Sequence, residues 1–305
     1  MNTVAGIIQL VKKIEHILNV LFARALHLLK LVIYRFSDRR PWRPGYGTFK
    51  TEYLKNVLND ETVLEYFRAG RPIPPGHGYR LDARTVEIPW ALTHLPQSTG
   101  RLLDAGSSLN HEVVLTSPPL KGWNKTIFTL APEDVAFWNL GISYVYGDLR
   151  NLDFKDNWFD AVVCISTIEH VGMDNTLYSP FISNQDDRSQ YGFAAAVKEL
   201  RRVLKPGGRL LITFPFGVYQ KHGWFQQFNS EMADVLIQAF DPVLQWEQVF
   251  HYHPQGWQIG NRESSANAEF FDVRKSKYFD SHNTMDFPPD FRAGEQAVLC
   301  LCLQK

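Results

Sequence analysis

Between residues 4 and 35 apolar side chains recur at helical spacing. Leu10, Val11, Ile14, Leu18, Leu21, Phe22, Ala25, Leu28, Leu29, Val32 and Ile33 share one side, and Lys12, Lys13, His16, Asn19, Arg24, His27 and Lys30 fall opposite. That period predicts one long amphipathic helix. It stops at S-D-R-R-P-W-R-P-G-Y-G, residues 37–47, where proline and glycine break it. Residues 50–69 predict two short helices, with Asn59 or Asp60 as the cap between them. G-R-P-I-P-P-G-H-G, residues 70–78, reads as a stiff linker at a domain boundary.

Beyond the linker the period alternates. Residues 83–95 predict a lead-in helix interrupted at Pro89. Apolar runs at 101–105, 125–130, 143–147, 160–166 and 209–215 predict strands. Helices lie between them, clearest at 191–204, where Val197, Leu200, Val203 and Leu204 share a face before K-P-G-G, 205–208, ends it. Strands of this kind separated by helices predict a parallel sheet covered on both faces. Residues 245–253 and 297–305 predict two further strands, an antiparallel pair at one edge. The expected fold class is therefore α/β, with three parts: a basic helical extension over 1–45, a helical linker region over 46–78 and the main domain over 79–305.

Composition adds one asymmetry. The 305 residues carry 32 basic and 32 acidic side chains, and 45% of the chain is hydrophobic, enough for a large core. Residues 1–50 nevertheless hold nine lysines and arginines against two acids. Cys164, Cys300 and Cys302 sit inside apolar runs, which suits buried thiols in a reducing compartment. No secretory leader is expected, because the first eleven residues lack Lys and Arg.

The chemistry starts at R-L-L-D-A-G-S-S-L-N, residues 101–110. An apolar strand ends in an acid and a glycine, and then the glycines stop. Gly106 lets backbone approach a ligand, and Ser107, Ser108 and Asn110 offer polar groups there. The single glycine argues against a pyrophosphate, which takes G-x-G-x-x-G. Further on, Asp148 follows a short strand, and the strand over 160–166 runs into S-T-I-E-H, placing Ser166, Glu169 and His170 at the same sheet edge. E-L-R-R-V-L-K-P-G-G-R-L-L-I-T-F-P-F-G, residues 199–217, supplies helix, turn and strand.

In order and spacing these segments resemble the class I S-adenosylmethionine-dependent methyltransferases, type 11-like, over residues 80–305. Stretches such as E-I-P-W-A-L-T-H-L and Q-G-W-Q-I-G-N are similar to a bacterial subgroup of them. The resemblance implies a Rossmann-like fold with a mostly parallel seven-stranded sheet, and S-adenosylmethionine as cofactor. It implies that Asp104, Ala105, Gly106, Ser107 and Ser108 form the first motif at the cofactor's methionine and ribose. Asp148 and Leu149 match the adenine-facing pair, and Ile165 and Ser166 the strand end beneath the sulfonium. Two departures stand out: Gly106-Ser107-Ser108 replaces G-x-G, and Ala131 falls where an acid ends the second strand. Either Glu133 reaches back or the ribose is held differently.

The resemblance implies methyl transfer, expected here at oxygen, to a small, glycan or lipid-linked acceptor. A hydroxyl acceptor wants a base, and His170, Glu169 and Asp174 follow the fourth strand where acceptors enter. Cofactor contact or helix capping is the competing role for Glu169 and His170. Residues 172–192 suit a substrate lid, with Tyr178 and Tyr191 stacking on a ring or packing. No metal is expected: His251 and His253 alternate to one face but lack a third ligand. The charge balance argues against a nucleic-acid partner. The basic helix over 4–35 suits an interfacial anchor at the cytoplasmic face of a membrane, or a contact with its own domain or a second copy. Arg24 and Lys30 argue against a span. Two other classes stay open, a nicotinamide-dependent oxidoreductase and a cofactor-binding scaffold without turnover.

Overall fold

The computed structural model describes residues 2–178 and 189–305. Two compact units divide between Tyr53 and Leu54.

The first unit is built on α1 (Asn2–Phe36) and the start of α2 (Tyr46–Leu58). Buried Tyr34 packs edge-on to Tyr46 at 5.9 Å and lies 5.1 Å from Phe49. The return needs Gly45, whose φ is +91°; a Cβ there would lie 2.1 Å from the carbonyl oxygen of Lys30. Leu18, Leu21, Phe22, Leu28, Leu29 and Ile33 are exposed, Phe22 by 71%. Lys13–Phe36, at a mean hydropathy of 1.7, is long and apolar enough by length and composition to cross a membrane. Arg24 and Lys30 thus do not lower the hydropathy as far as expected, because Leu, Ile and Val fill the positions between them.

In the second unit, α3 (Glu61–Arg68) is capped by Asp60, whose carboxylate accepts from the amides of Thr62 and Val63. Leu64, Phe67 and Ile73, around the Pro-Gly stretch, join the same core as the sheet. Helix α4 (Arg84–Thr93) runs through Pro89 without interruption. Proline removes the amide that would serve the Thr85 carbonyl. Nε2 of buried His77 serves it instead, at 2.9 Å.

The strands are β1 (Arg101–Ala105), β2 (Asn124–Thr129), β3 (Ser143–Tyr146), β4 (Phe159–Ile165), β5 (Leu204–Pro215), the short β6 (Gln220–Lys221) and β7 (Gln226–Gln227), β8 (Leu244–His253), β9 (Gly256–Gly260) and β10 (Ala297–Gln304). Helices α5 (Glu112–Leu115), α6 (Phe193–Val203) and α7 (Ser230–Phe240) lie between them. The main sheet has eight strands in the order β3-β2-β1-β4-β5-β10-β8-β9, with β6 and β7 paired separately. The first five are parallel; β10, β8 and β9 are antiparallel. The edge therefore holds three antiparallel strands where sequence predicts two. Short β9 is hard to read because only Trp257 and Ile259 of its five residues are large and apolar. K-P-G-G does not separate helix from strand either: β5 begins at Leu204, and Gly207 donates its amide to Lys305 at 2.7 Å. Apolar residues pack both faces of the sheet, one core including α6 and α7 and the other α3 and α4. The strand order reverses between β1 and β4, which opens a crevice at their carboxyl ends.

Candidate active-site cleft

A cleft of about 580 Å³ opens at that switch point, a volume typical of small-molecule sites. Its floor is two interlocked turns. After β1, Gly106 and Ser107 take left-handed conformations, φ +120° and +65°. The Gly106 amide donates to the Phe128 carbonyl at 2.8 Å. A Cβ at Gly106 would lie 2.0 Å from Oγ1 of Thr167, in the turn after β4. Glycine is thus required by the neighbouring turn as well as by any ligand. The Ser108 hydroxyl crosses to the same turn and donates to the Ile165 carbonyl at 2.5 Å.

The first-motif residues divide between wall and support. Gly106, Ser107 and Ser108 line the cleft, and the buried Ser107 hydroxyl has no hydrogen-bond partner. Asp104, Ala105 and Ile165 stand behind the wall. Asp104 accepts the Leu109 amide at 2.8 Å, while burial, with Glu133 adding to it, pushes its carboxyl up to about 7. Glu133 does line the cleft, where its carboxylate accepts from Asn110 at 2.9 Å. Asn110 in turn accepts from the Tyr144 hydroxyl at 2.8 Å. Asp148 and Leu149 form the adjoining wall. Asp148 accepts from the Arg150 backbone at 2.8 Å and from its guanidinium at 2.7 Å. Burial works against its charge, and the Arg150 hydrogen bonds overcome it, holding the carboxyl below the ordinary range.

The opposite end begins at Ser166, whose φ is +37°. Its hydroxyl donates to Oε1 of Glu87 at 2.6 Å, and Thr213 donates to the same oxygen at 2.6 Å. Glu87, fully buried on α4, also forms an ion pair with Arg84, which lines the cleft. Glu169 and Glu295 line this end as well. Burial pushes Glu169 well up and Glu295 to about 7, with Glu87 adding to both. His170 donates from Nδ1 to the Trp224 carbonyl at 2.8 Å, and burial lowers it to about 4, so its ring is neutral near pH 7. Tyr178, Trp224, Phe225 and Phe270 complete the wall.

Some expected residues fall elsewhere. Asp174 is not in the wall; its carboxylate accepts from the Thr176 amide and hydroxyl at 3.0 and 2.7 Å. Tyr191 donates to Glu231 at 2.7 Å, also outside the cleft. Residues 179–188 of the expected lid lie outside the described residues. Arg84, Glu87 and Glu295 were not anticipated. The readable signal was an R-x-x-E pair opening an otherwise apolar helix.

Residues 124–212 match the family model described as "Methyltransferase domain". Over 99 residues the chain is 33% identical to "Probable tRNA methyltransferase 9B" of Mus musculus, covering 32% of this chain and 17% of that protein. Over another 99-residue alignment it is 32% identical to "Sterol 24-C-methyltransferase" of Yarrowia lipolytica, covering 31% and 19%. The chain thus spans less than a fifth of the curated relatives it matches. It shares 14% identity with the solved 1,6-didemethyltoxoflavin-N1-methyltransferase of Burkholderia thailandensis, at a TM-score of 0.41 over 80% of this chain and 86% of that one. The match is to a methyltransferase domain over residues 124–212, less than a third of the chain.

Proposed function

We propose, from the premise that this chain carries an S-adenosylmethionine-dependent methyltransferase domain, that it moves a methyl group to an acceptor admitted between Tyr178 and Phe270. The observation that carries this reading is the interlock of the Gly106–Ser108 and Ile165–Thr167 turns at the switch point of the sheet. Ser107 has a buried, unpartnered hydroxyl in the wall and suits the methionine carboxylate. Asp104 and Ala105 hold the turn from behind. Glu133, steadied by Asn110, stands where a ribose hydroxyl would be met. Asp148 and Leu149 face the adenine, and Ser166, fixed by Glu87, marks the methyl end. Bound S-adenosylmethionine supplies a methyl already activated on a sulfonium. The protein's share is therefore alignment of the nucleophile.

The acceptor is a finer matter. A relative named for tRNA keeps an RNA acceptor open, against the expectation drawn from the balanced charge of this chain. A glycan or lipid-linked acceptor fits a chain held at the cytoplasmic face of a membrane by α1, whose exposed side is apolar. His170, expected as a base for a hydroxyl, is a weak one at about 4.

Calorimetric titration with S-adenosylhomocysteine tests the reading, with NAD as control. Ligand at 100 times its Kd adds about 2.7 kcal/mol of stability. Binding of NAD but not of S-adenosylhomocysteine overturns the reading in favour of an oxidoreductase.

A further inference from the structure

We infer that the end of the cleft between Glu169, Glu295 and the aromatic wall is a subsite for a protonated amine, which makes an amine the class of acceptor. The inference rests on the methyltransferase reading above.

Three carboxyl groups from separate parts of the chain stand about one guanidinium: Glu87 is ion-paired with Arg84, and Glu169 and Glu295 line the cleft with it. Glu87 comes from α4, Glu169 from the turn after β4, and Glu295 from the segment entering β10. All three act on Arg84, and Asp82 adds to them. Burial works against the charge of Arg84, yet these acids hold it firmly protonated. Arg84 is already committed to Glu87. Ionised together, Glu87, Glu169 and Glu295 would exceed the single charge of Arg84, and Asp82 adds to the excess. Glu295 and Glu169 respond by holding their protons, first because they are buried and also because each feels Glu87.

The uncharged groups point the same way. Oε2 of Glu169 and Oδ1 of Asn175 are buried oxygens without hydrogen-bond partners on residues that line the cleft, beside one unpartnered donor, the indole Nε1 of Trp224. His170 uses Nδ1 on the Trp224 carbonyl, and the lone pair on its Nε2 faces the Tyr178 hydroxyl at 3.4 Å. Phe225 packs against Trp224 at 4.6 Å and Phe270 at 4.7 Å, so the facing wall is continuous aromatic surface. Such rings attract cations. Trp224 already carries one, the Arg274 guanidinium 4.5 Å from its ring centre. An anion here would meet three carboxyl groups around a guanidinium already paired. An ammonium would let Glu295 ionise and pair with it, which a neutral hydroxyl cannot do.

The same acids handle the proton an amine must lose. Ionised Glu295 takes one proton from the ammonium and becomes the neutral acid. The nitrogen keeps the freed pair and spends it on the new bond to the methyl carbon, while the carbon–sulfur pair stays on sulfur.

The test uses the full chain saturated with S-adenosylhomocysteine and three probes of one shape: benzylamine, benzyl alcohol and benzoate. Calorimetry is run at pH 7 in buffers of different ionisation enthalpy. Benzylamine is expected to bind at least tenfold tighter than benzyl alcohol, with release of protons as the ammonium lowers the Glu295 pKa. Glu295→Gln is expected to remove both the preference and the proton release while S-adenosylhomocysteine affinity holds. Equal binding of benzylamine and benzyl alcohol, tighter binding of benzoate, or no benzylamine binding overturns the amine subsite alone. Loss of S-adenosylhomocysteine binding in the unaltered chain would instead overturn the methyltransferase reading beneath it.

Discussion

Nε2 of His77 lies 2.9 Å from the carbonyl oxygen of Thr85, the carbonyl that Pro89 leaves without its helical donor. A histidine 8 residues upstream thereby lets α4 pass through a proline unbroken. Burial lowers His77 to about 4, so the ring is neutral and its single hydrogen sits on Nε2. His77→Ala leaves a buried carbonyl unpaired and is expected to cost about 1–3 kcal/mol. Pro89→Ala restores the missing amide, so His77→Ala should cost less in that background. Urea unfolding of the four proteins measures the coupling, and equal costs in both backgrounds would falsify the exchange of donors.

This pair also shows where sequence stops being legible. Strand β1 was readable to the residue and β2 to β4 to within one, because buried parallel strands are near-continuous apolar runs, whereas β5 begins five residues before its apolar run. The Gly106 turn and Asp148 were readable as cleft residues because the crevice of such a sheet opens at strand ends. Arg84, Glu87 and Glu295 were not, although they stand in or beside the other end of the cleft. Their meaning depends on contacts between α4, β4 and β10, and one charged residue in an apolar helix looks like any exposed position until its partners are known. Asp174 shows the converse: it follows the fourth strand as expected, but its carboxylate accepts from Thr176 in a local turn outside the cleft wall. Pro89 misled because the donor that replaces its amide lies in another segment.

Gly106→Ala separates support from binding. With φ at +120° and a Cβ 2.0 Å from the Thr167 hydroxyl, alanine must displace the β4 turn. The backbone conformation alone is expected to cost about 1–3 kcal/mol. Because Ser108 ties the two turns together through the Ile165 carbonyl, S-adenosylhomocysteine affinity should fall at least tenfold as well. Denaturation and calorimetry on the same preparation check both, and a variant matching the native protein in midpoint and affinity contradicts the interlock.

His170 gives a pH prediction with a fixed sign. Its pKa falls from an ordinary 6.5 to about 4 in the folded chain, through burial. Between those values the unfolded state binds more protons than the folded one, so this group makes stability rise with pH from about 4 to 6.5. His170→Phe removes the contribution. The variant should lose less stability than the native protein when acidified from pH 7 to pH 5. Denaturant midpoints at both pH values measure it, and parallel losses would place His170 in an ordinary, solvated setting.

The last prediction concerns α1. Leu18, Phe22 and Leu29 lie along one exposed side of the helix, with Leu21, Leu28 and Ile33 beside them. Water is a poor solvent for so continuous an apolar stripe, and residues 1–50 carry nine basic groups against two acids. Each Lys or Arg near an anionic surface contributes about 1 kcal/mol, falling off within a Debye length. An interfacial helix would therefore bind anionic vesicles in a salt-sensitive way. A spanning helix is dimensionally open, since the 24 residues Lys13–Phe36 rise about 1.5 Å each and a hydrocarbon core is about 30 Å thick. The two differ in extraction: high salt and alkaline carbonate release the first and leave the second. Full-length protein is expected to float with phosphatidylserine-containing vesicles at low salt, to float poorly with phosphatidylcholine alone, and to be released by salt. The triple variant Leu18→Glu, Phe22→Glu, Leu29→Glu should stay at the bottom of the gradient in all conditions while still binding S-adenosylhomocysteine. Carbonate-resistant flotation replaces the surface anchor with a span. Failure of the native protein to float with any vesicle leaves the stripe as a contact between copies of the chain, which sedimentation of the triple variant against the native protein then shows directly.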